Sequence, residues 1–141
     1  MKITICYSMQ FAEKATKAQT WLNARGYETF VSSVNAGYIG LDDKAKEKLK
    51  LHHKYKEDAI RNHFNLIKNC DAILVLNYDK NGIENYIGGN AFLEMGIAYF
   101  LKKPIYLLNQ IPKMPYYETE IIAMKPTIIN DDLSVILKST I

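Results

Sequence analysis

The chain reads as an α/β protein built on a three-layer, doubly wound parallel sheet of about five strands. Three observations predict it. Short apolar runs alternate with helically periodic segments from one end to the other, as successive strand–helix–strand crossovers require. The run A-I-L-V-L at 72–76 is continuously apolar, as a strand covered on both faces must be. The connections are rich in Gly, Pro, Asn and Asp, which end helices and strands rather than extend them. Right-handed crossovers then give the strand order 2-1-3-4-5. This is a Rossmann- or flavodoxin-like sheet, whose ligands bind at the carboxyl ends of the strands.

Residues 3–6 (I-T-I-C) form the first strand. Residues 10–25 follow as a helix, with Phe11, Ala15, Ala18, Trp21 and Leu22 on one face. Gly26 is its expected stop. Residues 27–31 are a second strand, and 32–43 a polar loop. Residues 44–69 are helical but broken or bent, because Leu49, Ala59, Ile60, Phe64 and Ile67 keep helical spacing only in the second half. The strand at 72–76 leads into a long loop over 77–89. A helix carrying N-A-F-L-E-M-G-I-A-Y-F-L comes next and reads as mostly buried. Pro104 opens a strand at 105–108, residues 114–124 hold a short helix, and 127–129 are the last strand. Asp131 or Asp132 caps a terminal helix. Three loops, after Cys6, Leu76 and Leu108, should converge on the site.

A length of 141 residues suits one domain spanning 1–141. The net charge of +3 is too small to argue for a nucleic-acid polymer. The basic run at 44–56 is interleaved with Asp and Glu and reads as a solvated helix face. No signal-like segment and no bilayer-length apolar stretch is visible, so a cytoplasmic protein without a membrane partner is expected. Cys6 should end one strand and Cys70 precede another, which places the thiols at opposite ends of a parallel sheet, too far apart for a disulfide. No metal-like cysteine cluster is visible. His52 and His53 are adjacent, face different sides of a helix and make a poor metal pair. Asp71, at the amino end of its strand, reads as a cap or salt-bridge residue. Ten tyrosines would suit base stacking or a dimer interface.

Glu94 is the strongest chemical signal. It is the only charged residue between Asn90 and Leu101, where an unpaired carboxylate costs several kcal/mol, in order of magnitude. Gly88 and Gly89 precede its helix and allow backbone N–H groups to approach an anion. Gly96 removes a side chain beside Glu94, which makes room for a ligand or for tight packing. The plain alternative is that Glu94 caps its own helix or pairs with a lysine.

The succession C-D-A-I-L-V-L-N, G-G-N-A-F-L-E-M-G-I-A and K-K-P-I-Y-L-L resembles the nucleoside 2-deoxyribosyltransferase superfamily, which includes deoxynucleoside 5′-monophosphate N-glycosidases. The resemblance spans Ile3 to Ile129. It implies that Glu94 is a nucleophile that attacks C1′ of a deoxyribose and forms a covalent glycosyl intermediate, in the manner of retaining glycosidases. It implies a small-molecule nucleoside or nucleotide as partner, no metal or organic cofactor, and a homodimer or larger assembly in which the Tyr116–Tyr117 segment reaches a neighbouring site. On that footing Ser8, Gly88, Gly89 and Asn90 hold sugar and phosphate, and Tyr117 contacts substrate.

The chain departs from the family at three positions. His63 stands where relatives place an aspartate. A histidine can serve the leaving base as an acid titrating near its ordinary value of about 6.5, or it can be a hydrogen-bonded helix residue. Tyr7–Ser8 replaces Gly–Ser, so Tyr7 fills space or stacks on a base. Gly88 replaces an Asp or Ser, so that contact passes to the backbone or to Asn90. Two other functions stay open. One is a nucleotide-binding module without turnover, favoured by His63 and Tyr7. The other is a hydrolase of NAD or ADP-ribose glycosidic bonds, since TIR-type folds also use a helix glutamate.

Overall fold

The computed structural model of the protein describes residues 1–139. At the centre of the sheet β1 (Lys2–Tyr7) lies parallel to β3 (Ala72–Leu76), with Ile3 opposite Ala72 and Tyr7 opposite Leu76. On one flank β2 (Glu28–Phe30) pairs with β1; on the other, β4 (Ile105–Leu107) and β5 (Thr127–Ile128) follow β3. The order is therefore β2-β1-β3-β4-β5 with every pair parallel, as the alternation of elements predicts.

The period-two rule of strands sorts the core into two layers. Ile3, Ile5, Leu74 and Leu76 point to one face, where they meet Ala15 and Leu22 of α1 (Ala12–Asn23) and Ile136 of α6 (Ser134–Ser139). Cys6, Ile73, Val75 and Leu107 point to the other face. They meet Ile67 of α3 (Ala59–Lys68), Met95 and Ala98 of α4 (Gly89–Phe100) and Ile121 of α5 (Glu118–Ala123). Apolar burial on both faces explains why the central strands carry so little polarity.

The ends of elements follow local chemistry. A 3₁₀ turn over Met9–Phe11 precedes α1, and Gly26, with φ +91°, turns the chain out of that helix. The 32–43 loop contains a further 3₁₀ turn over Asn35–Tyr38. The Asp42 carboxylate accepts the Ala45 N–H and caps α2 (Asp43–Lys56). The predicted break in the long helical stretch is at Asp58, whose left-handed backbone (φ 51°) separates α2 from α3. Asp132 accepts from both the backbone and the hydroxyl of Ser134 ahead of α6. Asp71 accepts the Lys2 N–H at 2.7 Å, so it ties β1 to the start of β3 rather than forming a salt bridge.

Three expectations need correction. α4 is not mostly buried: Ala91, Glu94, Met95 and Ala98 face inward, while Leu93, Tyr99 and Phe100 are exposed. Glu94 belongs to the inward stripe all the same. Gly96 is on the outward side, and a Cβ there would meet nothing within 4 Å, so it makes room for neither ligand nor packing. The basic run of α2 is not simply solvated. Lys46 is buried, where its Nζ donates to the Glu13 carboxylate (2.7 Å) and the Gln10 carbonyl (3.2 Å). No helix among the described residues is long and apolar enough to cross a membrane.

Candidate active site

A cavity opens at the carboxyl ends of β1 and β3. Its floor and walls come from the turn after β1 (Tyr7, Ser8), the loop after β2 (Ser32, Tyr38), α2 (Lys50, His53, Lys54), α3 (Ile60, His63), the loop after β3 (Lys80, Tyr86) and the start of α4 (Gly88 to Ala91, and Glu94). The loop after β4 does not take part, contrary to expectation; the loop after β2 does. The reason is Asn77, which is wholly buried just past β3. Its amide donates to the Asn109 and Gln110 carbonyls and its oxygen accepts the Asn109 N–H, so the chain after β4 is bound against β3 and held away from the opening.

Three buried groups meet at the inner end. Cys6 is sent to this face by the strand alternation of β1, His63 comes from α3 and Glu94 from the second turn of α4. The ligand atoms of all three lie within 4.8 Å of one another. His63 Nε2 is 3.7 Å from Glu94 Oε2, beyond hydrogen-bonding distance, and neither atom has a hydrogen-bond partner. Burial pushes the Glu94 carboxyl up to about 8, against the pull of the Cys6 thiol, which donates to it. Burial likewise takes the His63 imidazole down to about 4, opposed by a hydrogen bond to the Ile5 backbone. The expectation of a histidine titrating near 6.5 therefore gives way to a neutral ring. Burial, and then the nearby Glu94, raise the Cys6 thiol.

The outer end is cationic. Asn81 and Gly82 both have positive φ (55° and 74°), and the backbones of Lys80 and Ile83 exchange hydrogen bonds across them. This is a tight type I′ turn. It aims the Lys80 ammonium into the cavity, where it donates to Ser8 Oγ at 2.8 Å and sits 5.3 Å over the Tyr86 ring. Half-burial lowers the Lys80 pKa. Lys50 and Lys54 border the same space. The amino end of α4 faces it as well, and a Cβ on Gly88 would come within 3.1 Å of the Tyr86 ring.

Of the residues singled out from the sequence, Tyr7, Ser8, His63, Gly88, Gly89, Asn90 and Glu94 border this one cavity. Tyr7 is buried and its hydroxyl is bonded to Asn35 Oδ1, so its ring fills space and is not free to stack. Tyr117 is elsewhere: its hydroxyl donates to the Ile87 carbonyl at 2.6 Å and its ring stacks on Phe92, with centroids 4.4 Å apart. Tyr116 is exposed. Sequence reasoning missed Cys6, Lys50, Lys54 and Lys80. Only Lys80 had a usable local signal, the Asn81-Gly82 dipeptide that marks a type I′ turn.

No protein-family model matches the chain, and no curated protein matches it. Among solved structures it is similar to the CMP N-glycosidase BcmB of Clostridium botulinum, at a TM-score of 0.52 and 16% identity over 99% of this chain and 98% of that one. It is also similar to FerB, a flavoenzyme NAD(P)H:(acceptor) oxidoreductase of Paracoccus denitrificans, at a TM-score of 0.47 and 10% identity over 92% of this chain and 75% of that one. The first likeness shows the shared fold; the second carries no weight at that score.

Proposed function

We propose that the protein cleaves or transfers at the N-glycosidic bond of a 2′-deoxynucleoside 5′-monophosphate or its nucleoside. Glu94 is the nucleophile and His63 the proton carrier. The observation that carries this is the buried Glu94 carboxyl, whose Oε2 has no partner and lies 3.7 Å from an equally unpartnered His63 Nε2 at the base of an open cavity. The Cys6 thiol engages the carboxyl but leaves Oε2 without a partner, and a buried carboxyl with an available oxygen beside a cleft is a candidate reacting group. The fold is that of a CMP N-glycosidase, which agrees with the class of bond.

The proton inventory closes a catalytic cycle. At neutral pH the pair holds one proton, on Glu94. Burial of both groups favours that arrangement. Attraction between carboxylate and imidazolium at 3.7 Å returns about 4 kcal/mol at an effective dielectric of about 20. The ionised pair is therefore within reach, and a bound phosphate adds an anion that favours the imidazolium. In that form a Glu94 oxygen attacks C1′, the bond from C1′ to the base breaks, its electrons go to the base nitrogen, and the imidazolium supplies the proton. The neutral ring then takes a proton from water, or from an incoming base, as that nucleophile displaces Glu94 from C1′. The pair ends with one proton, as it began.

Lys80 and Lys54, together with the amino end of α4, favour a 5′-monophosphate over a free nucleoside; Lys50 is paired with Glu47 at 2.8 Å. The homodimer belongs to the same proposal, supported by the exposed Leu93, Tyr99 and Phe100 of α4 and by Tyr116; light scattering that shows a monomer at high micromolar concentration removes it. The test of function is release of free base from a panel of deoxynucleosides, deoxynucleotides and ribonucleotides, with NAD included. Release from NAD alone would favour the ADP-ribose glycosidic reading. Tight nucleotide binding without release of any base would leave a binding module.

A further inference from the structure

We propose that Cys6, His63 and Glu94 form a binding site for a divalent transition-metal ion, zinc being the best fit. Their ligand atoms lie within 4.8 Å of one another and all three residues are buried. Tetrahedral zinc, with bonds of about 2.0–2.3 Å, sets its ligand atoms about 3.3–3.6 Å apart. The His63–Glu94 separation of 3.7 Å already meets that spacing, and the sulfur needs to move by about 1 Å at most.

Two further features point to a ligand. His63 Nε2 and Glu94 Oε2 are buried polar atoms with no hydrogen-bond partner, on side chains 9% and 11% exposed, a state that costs stability for each group. One ion in contact with both removes that penalty. The His63 ring also has the outer partner that zinc-binding histidines use, a backbone hydrogen bond, here to Ile5. The donor set of sulfur, imidazole nitrogen and carboxylate oxygen selects zinc over calcium or magnesium, which take oxygen alone. The thiol and the carboxyl each release a proton to solvent on binding, and the resulting thiolate and carboxylate neutralise the ion. Because His63 and Glu94 border the cavity, the fourth position is open to water or to an incoming ligand.

The site is independent of the proposed glycosidic chemistry, since a carboxylate can hold an ion without being a nucleophile. Where Glu94 is the nucleophile, zinc and substrate exclude each other and the ion inhibits.

The decisive experiment is titration of chelator-treated, full-length protein with zinc against a chromophoric competitor, together with cobalt(II) substitution. One equivalent should bind, and the cobalt form should show a near-ultraviolet thiolate-to-metal charge-transfer band. Cys6→Ala should abolish the band. Cys6→Ala and His63→Ala should each weaken zinc at least about 100-fold, since loss of even an outer partner costs 10–100-fold. Circular dichroism confirms that the variants fold, and Cys6→Ser replaces Cys6→Ala where that one does not. Failure to hold zinc against a competitor of micromolar affinity overturns the site. So does binding that survives Cys6→Ala and is lost in His52→Ala, which moves the ion to the exposed His52–Glu57 pair.

Discussion

Replacing Glu94 by glutamine should make the protein more stable as the pH rises. The folded-state pKa of Glu94 is about 8, against an ordinary 4.5. For a group raised in this way the full contribution to stability is present below 4.5 and is lost as pH climbs through the folded value. Linkage puts the whole loss at about 5 kcal/mol, with about 3 kcal/mol already gone at pH 7. Glutamine has nearly the same shape and no such proton. The stability difference between Glu94→Gln and wild type should therefore widen by about 4 kcal/mol between about pH 5 and about pH 9. The lowered His63 value works in the opposite direction, since its contribution is present above 6.5 and lost as pH falls through about 4; because the ring lies 3.7 Å from Glu94 and the two are coupled, the comparison is made in a His63→Ala background. Urea unfolding of chelator-treated protein, followed by circular dichroism, measures the effect. A difference that stays constant within about 1 kcal/mol over this range would refute the burial reasoning. The same variant should lose base release by several orders of magnitude, because no carboxylate remains to attack C1′.

Three other outcomes are expected. Lys80→Met should raise KM for a deoxynucleoside monophosphate about 10–100-fold, the worth of one charged hydrogen bond, and leave that for the nucleoside nearly unchanged; steady-state kinetics on the two substrates decide it. His63→Ala should lower kcat about 10²–10⁴-fold and change the pH profile, while nucleotide affinity measured by calorimetry stays within a few-fold; an unchanged profile makes His63 structural. Asn77→Ala should destabilise the fold by about 1–3 kcal/mol in urea unfolding, because the wholly buried side chain and its three hydrogen bonds to the loop after β4 are lost.

The fold was legible in the sequence because parallel-sheet physics is local in its demands: each central strand must be largely apolar on both faces, and 72–76 is wholly so and 3–6 is but for Thr4, whose buried hydroxyl donates to the Leu66 carbonyl. The inner cluster was only half legible. Glu94 stood out as a charge in an apolar helix, yet nothing along the chain placed Cys6 next to it. That contact depends on which face of β1 receives the side chain and on which helix covers that face. The outward side of α4 was misread for a related reason, since Leu93, Tyr99 and Phe100 look like core residues wherever they point. Lys50 and Lys54 were hidden in a run of alternating charge, which does not reveal that one edge of α2 borders a cavity. Tyr117 was assigned to substrate through resemblance, whereas within the chain its hydroxyl is committed to the Ile87 carbonyl.

The trio of Cys6, His63 and Glu94 also imposes an order in time. During synthesis β1 leaves the ribosome well before its central neighbour β3, which is made only after three helices and an intervening strand. A chain that ends at Leu76 has the neighbouring strands β2, β1 and β3 and the covering helix α3, but not α4. Cys6, Ile73 and Val75 then have Ile67 over them but lack Met95 and Ala98 of α4, so that part of the face is open to water. The chemistry is thus a product of the last stages of assembly, and a shortened or stalled chain displays a partly uncovered apolar sheet face instead. Such a surface invites association with other unfinished chains, so holding it until Gly89–Phe100 arrives is the step at which a chaperone has most to contribute.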